Sequence, residues 1–118
     1  MIRAQLITNG LGSLTGCTVK GHSGYAEAGH DIVCAAVSVL TAACVNSIEV
    51  ICGIPTEQTV DAIADGMISF HLPDPLTPDQ AHDAQVLLRS LEQGLSDVAG
   101  EYPQHLRLSI KNGGKSHD

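Results

Sequence analysis

The chain has no Trp, one Phe and two Tyr among 118 residues, so no aromatic cluster builds its interior. Ala, Val, Ile and Leu must fill the core instead, which favours helices packed on a sheet. Basic residues are scarce too: six Lys and Arg face thirteen Asp and Glu, a formal charge of −7. That sign argues against direct binding to nucleic-acid phosphates or anionic lipid and suits a basic partner. Metal-ligand spacing is missing, since no C-x-x-C pair and no H-x-x-x-H pair occurs. Cys17, Cys34, Cys44 and Cys52 lie in apolar patterns without the dense spacing of a disulfide scaffold, so they read as thiols rather than disulfides. No basic stretch followed by an apolar one opens the chain, as an export signal would, and the expected location is cytoplasmic.

A chain of this length makes one domain, expected over residues 1–112, with a polar tail at 113–118. Ile2 to Thr8 alternates as a half-buried strand, Asn9-Gly10 turns it, and Gly16 to His22 alternates again as its antiparallel partner. The apolar run Ile32 to Cys52 includes Ser38, Thr41, Asn46, Ser47 and Glu49, too polar for a membrane span. It reads as a helix over 31–52 covered on most sides, with Asp31 as N-cap and Gly53 and Pro55 as its stop. Gln58 to Ala64 and Met67 to Leu72 flank Asp65-Gly66 as a second hairpin, although residues 56–64 also fit a short helix. Thr77-Pro78-Asp79-Gln80 then combines an N-cap, a first-turn Pro and a capping-box Gln. The stripe Ala81, Ala84, Leu88, Leu91, Leu95 and Val98 follows, and Leu106, Leu108 and Ile110 form a closing strand. The order β-β-α-β-β-α-β gives an α+β two-layer sandwich, a mostly antiparallel or mixed sheet with both helices on one face.

Chemistry concentrates in residues 21–38, Gly-His-Ser-Gly-Tyr-Ala-Glu-Ala-Gly-His-Asp-Ile-Val-Cys-Ala-Ala-Val-Ser. A histidine ends a strand and a cysteine opens a helix. With Asp31 as N-cap, Cys34 is the third helical residue, where unpaired N–H groups and the helix dipole favour a thiolate. The eight residues 23–30, with Gly24 and Gly29, read as a mobile loop that can span roughly 26 Å, enough to return His22 to Cys34. His22 shares parity with Thr18 and Lys20, so the strand has to end or bend before it for His22 to meet the helix layer. The bland alternatives are a buried structural cysteine and a plain N-cap aspartate. His22, His30, Asp31 and Cys34 are a rival metal set, but the spacing is wrong, and neither metal nor cofactor is expected. Gly21 to Gly29 has no phosphate-loop spacing.

At Gly21-His22, the glycine-containing loop and Asp31-Ile32-Val33-Cys34-Ala35-Ala36-Val37-Ser38 the sequence resembles the ribosomal-processing cysteine protease family, often called Prp. Val45-Asn46-Ser47 extends the likeness, and Ser23 stands where the family is expected to carry Ala. The resemblance implies a homodimeric cytoplasmic endopeptidase that removes the N-terminal extension of a large-subunit ribosomal protein during ribosome assembly. It implies His22 and Cys34 as the catalytic dyad, with Gly21, Gly29, Asp31 and Ser38 in support. Backbone N–H groups at the helix start, that of Cys34 included, are the expected oxyanion donors.

Overall fold

A computed structural model of the chain describes residues 1–21, 30–61 and 67–113. Five strands and two helices follow in the expected order: β1 (Ile2–Thr8), β2 (Leu14–Lys20), α1 (His30–Val50), β3 (Glu57–Asp61), β4 (Met67–His71), α2 (Pro78–Glu101) and β5 (Leu106–Asn112). The sheet runs β3-β4-β2-β1-β5. It is mixed: β1 pairs antiparallel with β2 and parallel with β5, while β4 is antiparallel to both β2 and β3. Residues 56–64 therefore include a strand rather than a helix, and Asp65-Gly66 lies outside the described residues.

Period-two patterning decides which side of the sheet is covered. Ile2, Ala4, Leu6, Cys17, Val19, Phe70 and Leu106 are buried beneath the helix layer, joined there by Val33, Val37, Ile48, Leu88 and Leu95. Each such aliphatic side chain contributes about 1.5–3 kcal/mol when fully buried. Thr77 caps α2 as expected: its hydroxyl accepts from the Gln80 N–H at 3.1 Å, and the Gln80 side chain accepts from the Thr77 N–H at 3.0 Å. Gln85, a turn further on, grips both backbone groups of Leu14 at 2.8 and 3.0 Å and so fixes α2 to the start of β2. Gly94 weakens α2 locally but has a packing reason. A Cβ there would stand 2.9 Å from Leu40 Cδ2, so the Leu40 side chain of α1 packs directly over the glycine and would have to shift for a larger residue.

Four expectations change. β2 spans Leu14–Lys20 rather than 16–22, because Gly21 leaves the pleat with φ +99°. α1 begins at His30, so Asp31 lies within the helix and is not its cap. It closes at Val50 rather than residue 52. Gly53 then turns the chain with φ +67°, and the Ile54 N–H reaches back to the Ile48 carbonyl at 3.2 Å. Nor is α1 covered on most sides. Val33, Val37, Thr41, Cys44, Val45 and Ile48 face the core, but Ile32, Val39 and Val50 on the opposite side are 60%, 68% and 82% exposed. This helix is long and apolar enough to cross a membrane by length and composition, yet its inner face is packed on the sheet.

Candidate active site

Gly21 directly follows the end of β2, and Asp31, Cys34 and Ser38 lie in the first three turns of α1. Gly21 ends the strand for a steric reason: its φ of +99° is unfavourable for any residue with a side chain, and an added Cβ would lie 2.6 Å from the Met1 carbonyl oxygen. The chain thus leaves the pleat one residue before His22, which removes the parity conflict set by Thr18 and Lys20. His22 and Gly29 themselves lie outside the described residues.

Cys34 is the fifth residue of α1, half-buried and in contact with the core cluster. A helix that starts at His30 takes the Cys34 N–H into its i→i−4 ladder, so that group leaves the set of expected oxyanion donors. The N–H groups of His30, Asp31 and Ile32 are the ones such a helix does not use internally. Ser38 follows one turn beyond Cys34, also half-buried and on the same flank of the helix. Thr41, two turns beyond, was read from the sequence only as one of the polar residues of the apolar run; it is 3% exposed, and among the described residues its hydroxyl has no hydrogen-bond partner.

The other three thiols are in surroundings that suppress ionisation. Burial, reinforced by neighbouring Cys44, pushes Cys17 up to about 12. Burial and neighbouring Cys52 push Cys44 up to about 11, and its Sγ donates to the Leu87 carbonyl at 3.6 Å. Cys52 is raised as well, by desolvation and then by the charge of Asp83. Thiols held in this way are poor nucleophiles at neutral pH. Among the described residues no group of three or more His, Cys, Asp or Glu side chains is arranged to hold a metal ion.

Comparison with known proteins agrees with a thiol-based site. Residues 1–107 match the family described as cysteine protease Prp. The chain is 31% identical over 111 residues to the ribosomal processing cysteine protease Prp of Staphylococcus aureus, spanning 94% of this chain and 100% of that one. It is 32% identical over 92 residues to the Bacillus subtilis protein of the same name, covering 77% and 80% of the two chains. A Streptococcus mutans crystal structure superposes with TM-score 0.84 at 30% identity, over 95% of each chain. The S. aureus protease in complex with a substrate peptide gives TM-score 0.83 at 27% identity, over 94% of this chain and 100% of that one. The same protease with a covalently linked product peptide gives 0.77 at 28% identity and the same coverage. An α+β domain with a thiol in the opening turns of its first helix, matched along most of its length by such relatives, is a cysteine protease. The chain belongs to the Prp family.

Proposed function

We propose that this chain is a cytoplasmic endopeptidase that removes the N-terminal extension of a large-subunit ribosomal protein during ribosome assembly. Cys34 is its nucleophile and His22 its general base. The observation that carries the assignment is the place of Cys34 in the opening turns of α1. Burial and neighbouring charge raise the Cys17, Cys44 and Cys52 thiols, while Cys34 is the fifth residue of α1, in its opening turns. The ribosomal role rests on the family and on the relatives named as ribosomal processing proteases.

In this reading His22 accepts the Cys34 thiol proton and the thiolate sulfur bonds to the scissile carbonyl carbon. N–H groups of the first turn of α1 steady the oxyanion, each contributing about 3 kcal/mol. As the intermediate collapses, the C–N bond breaks and the His22 imidazolium returns its proton to the leaving amine. Water then attacks the thioester carbon, releasing the carboxylate product and restoring the thiol. Gly21 precedes the proposed base and Gly29 lies in the segment that joins it to Cys34, and Asp31 and Ser38 are positioning residues on α1. The net charge of −7 draws in a basic ribosomal protein.

Two copies act together. The apolar outer stripe of α1, with Ile32, Val39 and Val50 exposed, is the surface that supports this part of the reading.

The test is incubation of the extended ribosomal protein with wild type, Cys34→Ala and His22→Ala, followed by intact-mass measurement. Wild type should release one N-terminal peptide, Cys34→Ala none, and His22→Ala at a rate lower by at least about a hundredfold. Wild-type rates in the Cys34→Ala protein would end the assignment. Cleavage by none of the three, with binding retained, would instead point to an assembly factor.

A further inference from the structure

The sheet's uncovered face carries a charge opposite to that of the whole molecule. Arg3 of β1 pairs in register with Lys20 of β2 on one side and with Arg107 of β5 on the other, so three cations form a row across three strands. At about 4.8 Å between strands the row is roughly 10 Å long. All three residues are exposed, and among the described residues none has an acidic partner within salt-bridge distance. Like charges placed directly opposite one another cost stability, and nothing described on this face relieves the cost. The next row continues with Gln5, Thr18 and Ser109, and the six side chains line one shallow concavity of about 260 Å³.

We propose that this face docks the phosphate backbone of an RNA duplex. The lining contains Arg and Lys together with hydroxyl and amide donors, the side chains that contact phosphate and sugar. None of its lining residues is one of the aromatic side chains that anchor most protein interfaces. Without an aromatic platform it is also unsuited to stacking the bases of a single strand. At about 260 Å³ it is smaller than the pockets that usually enclose a small molecule. The whole-chain charge of −7 does not cancel the row. The acids of α2, Asp79, Asp83, Glu92, Asp97 and Glu101, belong to the helix layer on the other side of the sheet.

The row also lies at the sheet end where Lys20 leads through Gly21 toward His22. RNA held there would set the cleavage site beside an assembling ribonucleoprotein. That last step rests on the proposed ribosomal function; the binding itself does not.

The experiment measures fluorescence anisotropy of a labelled RNA duplex of about 20 base pairs between 50 and 200 mM salt. The proteins are wild type, Arg3→Gln/Arg107→Gln and the charge reversal Arg3→Glu. Three phosphate contacts predict that wild-type affinity falls about 40-fold across that range, and a single remaining contact predicts about 3- to 4-fold for the double variant. The double variant should keep or slightly raise its Tm and cleave a short unstructured peptide at the wild-type rate. That separates a failure of docking from a failure of the protease assignment. Three results would overturn the proposal: no duplex binding by wild type at 50 mM salt, binding unchanged in both variants, or tighter binding of poly-glutamate than of the duplex at equal charge.

Discussion

Gly21 and Cys34 mark the two positions on which the proposed site depends. Gly21 turns the chain out of β2 with a backbone angle that side chains oppose, against a Met1 carbonyl that leaves no room for a Cβ. Replacing it with Ala should cost about 1–3 kcal/mol from the backbone alone and more from the clash. It should also lower peptidase activity further than the loss of folded protein explains, because the residue that follows is the proposed base. Chemical denaturation and activity per folded molecule measure the two effects separately; an Ala variant of wild-type stability would contradict the steric account. The Gly-His pair was legible from the sequence, and so was the need for the strand to stop before His22. The sign of φ at Gly21 was not, since it follows from the approach of Met1, a residue distant in sequence.

α1 does two jobs. Its inner face, from Val33 to Ile48, seals the core, and its outer face leaves Ile32, Val39 and Val50 in solvent. Hydropathy identified the helix but did not divide its faces, because both are apolar; only packing against the sheet and against α2 at Leu40 and Gly94 distinguishes them. If the outer face joins two copies, wild type should sediment at twice the 12.3 kDa chain mass. Val39→Glu should then sediment as one chain with unchanged helix content. A wild type that stays monomeric at micromolar concentration would remove the dimer from the reading. α2 was easier to read, because Thr77, Pro78 and Gln80 write the cap into adjacent residues and local hydrogen bonds complete it.

Across the whole molecule, the buried thiols tie stability to pH. A thiol ordinarily ionises near pH 8.5, whereas Cys44 and Cys17 are held up to about 11 and about 12 in the fold. The folded chain therefore keeps protons that the unfolded chain gives up. The stabilisation is complete below about pH 8.5 and declines as pH rises toward 11 and above. Urea midpoints should fall from pH 8 to pH 10, and Cys17→Ala/Cys44→Ala should flatten the decline even though the cavities lower its overall stability. An equally steep decline in that variant would place the effect elsewhere.

The order of elements, the buried parity of β1 and β2, the cap of α2 and the residues that mark the family were all legible in the amino-acid order, because short-range periodicity and adjacent side chains encode them. Tertiary structure alone decided which thiols are suppressed, which face of α1 is left open, and how Arg3, Lys20 and Arg107 come to stand side by side. Those properties arise when segments far apart in the chain share one sheet, and no local pattern records the register that brings them together.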